Sequence, residues 1–280
     1  GIILGIVNMP ASIVGFGFVI LAMMLKRKKL RYGFVFFMPI VIFLLESWMR
    51  RGSPLLTGHE GTFGSPTLLS QFYNPMFFGL ISILFSFGKG IFWFCPGLLL
   101  FVKKDMPNMT QKLHESYKLC IFFLVGLILV YSKWYQWYGG WFWGPRFFLF
   151  ASIPASFALA INLSNKNNAL AFNLLTLTVL LFSFWVGISG LIFGYSTLEI
   201  CTQRHYAMEK LCWYVPQYSV LFRPFVVRQQ LHPKQIIALL LSACVCIYVA
   251  LPVIRQLALN IEEKSKKFRG EYLDFRKWRF

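Results

Sequence analysis

The sequence predicts an all-α fold, a polytopic bundle of about seven transmembrane helices with its N-terminus outside and its C-terminus inside. Three observations predict it. Of 280 residues, 57% are hydrophobic and only 14% charged, against about 25% charged in an ordinary soluble domain, so the chain is built for hydrocarbon rather than water. The apolar residues fall in stretches close to the roughly 20 residues that a helix needs to cross a bilayer core. The charge is lopsided, with 28 Lys and Arg against 10 Asp and Glu, and the basic residues cluster between the apolar stretches, where they fix orientation. A soluble domain, a disordered chain and a collagen-like repeat are excluded by the same numbers. The net charge of +18 is a topology signal, and no nucleic-acid partner is expected.

In order, the stretches are residues 1–25, 32–49, 76–102, 119–135, 147–163, 169–194 and 236–254. Several contain Pro or Gly, which lipid tolerates only where neighbouring helices or local rearrangement satisfy the freed backbone groups, so the helices are expected to pack together. The bundle and its loops occupy 1–254, and a basic, aromatic cytoplasmic tail occupies 255–280. Lys26, Arg27, Lys28, Lys29 and Arg31 set the first connection inside by the excess of basic residues on the cytoplasmic side. Alternation then puts 103–118, 164–168 and the tail inside as well, leaving 18 basic residues inside and 10 outside. Gly1 opens directly in an apolar stretch, with no basic leader region and no small-residue cleavage site, so the natural protein is expected to begin upstream. The outer side keeps three substantial segments, 50–75, 132–146 and 195–235, rich in Gly, Pro, Trp and Tyr. Function is expected there. The sequence shows no internal repeat of the kind that marks many secondary transporters.

The most unusual segment runs Trp134, Tyr135, Gln136, Trp137, Tyr138, Gly139, Gly140, Trp141, Phe142, Trp143, Gly144, Pro145, Arg146. The rings by themselves read as an interfacial aromatic belt. Arg146 reads differently. An Arg at the outer boundary runs against the positive-inside bias, and Pro145 in the first turn of a helix would set it beside backbone N–H groups that favour an anion. Phosphate is the natural partner. A second segment, Phe85 to Trp93, contains Gly88, Lys89 and Gly90 but lacks the spacing of a nucleotide-binding P-loop. The two glycines are expected to break a membrane-dipping helix so that Lys89 reaches the headgroup zone; a plain hinge with a snorkelling lysine is the equal alternative.

These segments, preceded by Gly52-Ser53-Pro54 and Phe63-Gly64-Ser65-Pro66 and followed by Pro154, resemble in order and placement the polytopic glycosyltransferases of the GT-C class. The likeness is to the dolichyl-phosphate-mannose protein mannosyltransferase-like and aminoarabinose transferase-like membrane proteins, over roughly residues 50–155. It implies transfer of a sugar from a polyprenyl-phosphate-linked donor to an acceptor on the outer face of a membrane, with the bacterial inner (plasma) membrane as the expected location. Under this resemblance Arg146, Lys89, Gly139, Gly140, Trp141, Trp143 and His59 form the substrate-binding set, the cations facing the phosphate and the rings facing sugar and prenyl surfaces. The resemblance also implies a carboxylate base in a first outer loop, which this chain lacks. Among Glu60, Glu199 and Glu209, Glu60 beside His59 is the best stand-in. The principal base is expected upstream of Gly1, and the 280-residue chain by itself is expected to be inactive.

Smaller constellations remain. His205 and Glu209, four residues apart, would share a helix face and with His59 or His232 could hold a divalent metal; a solvated loop is the favoured reading, and no cofactor is expected. Cys201 and Cys212 share the last outer segment, where an oxidising compartment permits a disulfide. Cys95, Cys120, Cys244 and Cys246 read as buried hydrophobes. The tail from Lys264 to Arg279 interleaves basic and aromatic residues and is expected to lie on the anionic inner leaflet. Two alternatives to an enzyme stand beside it: a lipid or solute transporter or flippase, whose ionisable groups should lie near the midplane, and a noncatalytic membrane scaffold.

Overall fold

A computed structural model describes residues 11–28, 31–54, 71–106, 109–140, 142–165, 168–193, 201, 208–227 and 231–277. Among them there is no strand. The helices are α1 (Ser12–Arg27), α2 (Arg31–Arg51), α3 (Met76–Phe85), α4 (Ile91–Phe94), α5 (Gln111–Lys133), α6 (Ser152–Ser164), α7 (Leu170–Phe193), α8 (Glu209–Tyr214), α9 (Arg223–Val226) and α10 (Pro233–Lys277). A 3-10 turn over Arg146–Ala151 runs directly into α6.

Four helical stretches among the described residues are long and apolar enough to cross a membrane: Gln111–Lys133, Arg146–Ser164, Leu170–Phe193 and Pro233–Glu262. These are the dimensions of an integral membrane protein, and they coincide with four of the seven expected crossings. The helix α2, 21 residues long, covers the second expected stretch from end to end. Their outward faces carry exposed apolar side chains, such as Phe34 and Phe37 on α2 and Leu240, Leu241 and Tyr248 on α10. Exposed apolar area on this scale calls for lipid rather than water.

The stretch 76–102 departs from expectation. It is not one helix: α3 stops at Phe85, a turn follows, α4 takes up Ile91–Phe94, and a 3-10 turn ends at Leu99. It still travels between the two ends of the bundle, since Asn74 Nδ2 donates to Ser132 O at 2.8 Å near one end and Phe101 O accepts from Asn162 Nδ2 at 3.1 Å near the other. Broken backbone survives inside a membrane protein only where other protein covers it. Here α6 and the loops around it supply that cover.

Small residues set the packing of α1 on α5. A Cβ added at Gly126 would lie 2.7 Å from Gly15 Cα, so these two backbones meet at a distance that only glycine permits. Such contacts are how helices associate in lipid, where burial of apolar area offers little between helices. Thr110 caps α5, its Oγ1 accepting from Leu113 N at 3.3 Å, and α1 ends at Lys28 in the left-handed region (φ 50).

The helix α5 also separates two landmarks. Lys26, at the end of α1, is ion-paired with Glu115 near the start of α5, whereas the loop that carries Arg146 follows the other end of α5 at Lys133. Eighteen residues at about 1.5 Å each put about 27 Å between Glu115 and Lys133. The basic cluster around Lys28 and the Gly-Pro-Arg corner therefore sit at opposite ends of the bundle.

At the Lys26 end, neutral amides hold the connections. Asn162 Nδ2 donates to Phe101 O and to Ala158 O at 2.8 Å, Asn168 Nδ2 to Asn162 O at 3.2 Å, and Asn173 Nδ2 to Asn168 O at 3.3 Å. The tail does not start a new element. It continues α10, which runs unbroken for 45 residues with Pro252 in its interior.

Candidate functional site

The site is built at the Arg146 end, where three segments distant in sequence meet: the turn 86–90, the loop 134–145 and the segment 208–222. Backbone and side chains stitch them together. Gly88 N donates to Trp213 O at 3.0 Å, Ser219 Oγ to Phe87 O at 2.7 Å, and Ser82 Oγ shares a 2.9 Å hydrogen bond with the Tyr214 hydroxyl. Gly88 is required for this. A Cβ there would lie 2.1 Å from Cys212 O. The segment 208–222 is further tied by a disulfide between Cys201 and Cys212, with Cα atoms 6.0 Å apart.

Lys89 is the fastening of the loop. It is only 6% exposed, and its ammonium donates to Gly140 O at 3.1 Å, to Gly144 O at 3.0 Å and, more closely, to Phe142 O. Three donors meet three carbonyls, which is how a buried ammonium avoids the cost of lost hydration. Alternate carbonyls can converge on one point because Gly139, Gly140 and Gly144 all have positive φ (78°, 79° and 73°), a region open to glycine at little cost. The expectation for Lys89 is corrected accordingly. The two glycines do break the helix, but the side chain turns inward onto the loop and does not reach headgroups.

Arg146 behaves as a surface cation. It is exposed, its guanidinium lies 4.0 Å above the centre of the Phe142 ring and 5.3 Å from that of Phe147, and no carboxylate pairs with it among the described residues. Phe147 in turn stacks on Tyr131, ring centres 4.3 Å apart and 8° from parallel. Pro145 sits one position earlier than expected, as the residue preceding the helical turn that begins at Arg146.

Within electrostatic reach of Lys89 lies Glu209, at the start of α8. Tyr138 and Glu209 are close enough for each to act on the other's titration, while Glu209 Oε1 is shielded from solvent and has no partner among the described residues. Burial pushes the Glu209 carboxyl up from its ordinary value, against the opposing pull of the Tyr138 hydrogen bond and of the positive charges of Lys89 and Lys210. Burial first, and then the negative charge of Glu209, push the Tyr138 phenol up as well. Aromatic rings wall the pair in: Tyr138 lies 4.1 Å from Trp213 between ring centres, and Trp137 5.4 Å from Trp213. Arg146 packs back on the loop, its Cβ 3.5 Å from the Cβ position of Gly139.

The structure thus joins Arg146, Gly139 and Gly140 in one loop, with Lys89 beneath them. Trp143 is used for packing rather than for an open face: its ring lies edge-on to Phe94 at 5.1 Å and within 3.1 Å of the Cβ position of Gly190 on α7. Glu60, His59, Trp141 and His205 lie outside the described residues. Among the described residues no three His, Cys, Asp or Glu side chains cluster to hold a metal. The free cysteines differ from the sequence reading: Cys246 is buried, Cys95 and Cys120 are half-buried and Cys244 is exposed.

Glu209 and Tyr138 as a pair were missed by sequence reasoning. Each was visible in an outer segment, but 71 positions separate them and only the fold brings them together. No protein-family profile, no curated protein and no solved structure matches the chain.

Proposed function

We propose that this chain is the membrane portion of a glycosyltransferase resembling the GT-C class, which transfers a sugar from a polyprenyl-phosphate-linked donor to an acceptor on the outer face of a bacterial plasma membrane. In this reading the chain crosses seven times, with its N-terminus outside and its C-terminus inside. The observation that carries the proposal is Arg146: an exposed guanidinium, unpaired by any described carboxylate, held over two aromatic rings at the end of the bundle opposite the basic cluster around Lys28. A cation held at that boundary is suited to a lipid phosphate, whose oxygens accept two hydrogen bonds from one guanidinium. The Cys201–Cys212 disulfide supports the same orientation, because such bonds persist in oxidising compartments. The exposed Phe142 ring beside Arg146 offers a surface suited to sugar or prenyl groups.

The experiment is equilibrium binding of undecaprenyl phosphate to the protein in nanodiscs. Arg146→Ala is expected to weaken binding about tenfold, the equivalent of one charge-assisted contact, whereas Lys133→Ala, an exposed cation at the end of α5, changes it less than about twofold. Equal effects of the two substitutions reject the assigned role of Arg146.

A further inference from the structure

We infer that the end of the bundle opposite Arg146 holds a site for a monovalent alkali cation, ligated by the side-chain oxygens of Asn162, Asn173 and Gln256 where α6, α7 and α10 pack on one another. The site stands apart from the donor reading and uses none of its residues. Asn162 and Asn173 are fully buried. Asn162 Oδ1, Asn173 Oδ1 and Gln256 Oε1 are each shielded from solvent and have no hydrogen-bond partner among the described residues. A buried acceptor in that state carries a desolvation cost that a bound ion offsets.

The chemistry of the set follows from what the amide nitrogens do. Asn162 Nδ2 faces two carbonyls, Phe101 O at 3.1 Å and Ala158 O at 2.8 Å, and Asn173 Nδ2 faces Asn168 O at 3.3 Å. Turning either amide round would set oxygen against oxygen, so in both side chains the oxygen is the atom left over. Oxygens that only accept do not suit an anion, and full burial keeps a lipid headgroup out. The three ligands carry no charge, whereas calcium and magnesium sites draw on carboxylates, and none is the imidazole or thiolate that transition metals favour. A small ion of single charge is what neutral carbonyl oxygens hold in place of its hydration shell. The helix α6 contributes too: it ends at Ser164, two residues past Asn162, and the negative end of its dipole favours a cation.

The register of the helices puts the three residues at one depth. The helix α10 runs antiparallel to α7, since Gln235 meets Ile192 O near one end and Asn260 meets Asn168 O near the other. Asn173 lies five residues in from Asn168, and Gln256 four residues in from Asn260, so the two are level to within about one helical turn. Asn162 joins them through Asn168, whose Nδ2 donates to Asn162 O and whose own carbonyl accepts from Asn173 and Asn260. One residue thus ties all three ligand-bearing helices together at that level, and the ion fastens the same junction from within.

The test uses the full chain in nanodiscs, with its thermal midpoint measured in NaCl, KCl and N-methyl-D-glucamine chloride at equal ionic strength. A midpoint about 3 °C higher in NaCl or KCl than in the organic salt is expected, saturating as one-site binding requires. Gln256→Met keeps the bulk, removes one ligand and breaks none of the hydrogen bonds above; it is expected to weaken the apparent ion affinity about tenfold or more. Gln235→Met, at the far end of the same helix, removes a hydrogen bond but no ligand and is expected to leave ion affinity within about twofold. Gln256→Glu keeps an oxygen and adds a charge, so its midpoint is expected to rise with CaCl2 where that of the unmodified protein does not. Equal midpoints in the three salts overturn the inference, and so does an ion response that Gln256→Met retains in full. A response lost equally in Gln256→Met and Gln235→Met assigns it to helix packing and likewise overturns it. Should Gln256→Met fail to fold, Gln256→Glu decides: indifference to CaCl2 overturns the site.

Discussion

The two ends of the bundle solve the same problem with different chemistry. Each must satisfy polar backbone where helices break off inside an apolar molecule. At the Lys26 end the donors are amides: Asn162, Asn168 and Asn173 pass hydrogen bonds from one connection to the next, one or two at a time. At the Arg146 end a single buried ammonium gathers three carbonyls of one loop, with a half-buried carboxylate close by. Neutral donors hold structure without adding charge, whereas a buried charge also fixes the field in which a neighbouring acid or base works. The difference is electrostatic: one end is held by neutral dipoles, the other around a buried charge.

That contrast has measurable consequences. The largest is expected at Lys89. Lys89→Met keeps the bulk but leaves the carbonyls of Gly140, Phe142 and Gly144 without their donor, and should lower stability by about 3 kcal/mol, read as a fall in the thermal midpoint in detergent together with faster proteolysis of the loop 134–145. At the other end Asn162→Leu removes two neutral hydrogen bonds and should cost about 1–2 kcal/mol by the same assay. If the two substitutions cost the same, the ends are energetically equivalent and the contrast fails.

The smallest effect sharpens the contrast through pH. The folded carboxyl of Glu209 lies above the ordinary 4.5, so the folded protein keeps a proton that the unfolded chain has already released. Stability from this group is complete below about 4.5 and is lost as pH rises through the folded value. Glu209→Gln is therefore expected to raise the thermal midpoint at pH 7 by about 2 °C and to match the unmodified protein at pH 4. Asn162→Leu should show the same deficit at both pH values, because an amide does not titrate. A Glu209→Gln midpoint below that of the unmodified protein at pH 7 would show that its charge stabilises the fold.

The long apolar helices were legible in the sequence because hydropathy summed over a full crossing is insensitive to detail, and Leu170–Phe193 follows its predicted stretch almost residue for residue. The loop 134–146 stood out through its composition, but the positive φ of Gly139, Gly140 and Gly144, which lets its carbonyls meet Lys89, is seen only in the fold. Lys89 was read the wrong way round. A lysine in an apolar stretch has the same local sequence whether it snorkels to water or is met by protein, and its carbonyl partners are 51 to 55 positions away. Glu209 was visible only as one of several loop carboxylates. Its environment is made by Tyr138, Lys89 and Trp213, and neighbours in sequence say nothing of that. The broken course of 76–102 hid for the same reason: hydropathy counts apolar residues and does not register that Gly88 must touch the Cys212 carbonyl.

The last helix has a mechanical side. At about 1.5 Å per residue, the 45 residues of α10 make a rod of about 68 Å, more than twice the roughly 30 Å of a hydrocarbon core. Gln235 moors the near end to α7, its Nε2 donating to Ile192 O at 2.9 Å. Val253 and Leu257 are buried against the bundle and Asn260 Nδ2 reaches Asn168 O at 3.5 Å, so the helix is braced as far as Asn260 and the turns beyond it extend the same rod, making the last crossing and the tail one stiff body.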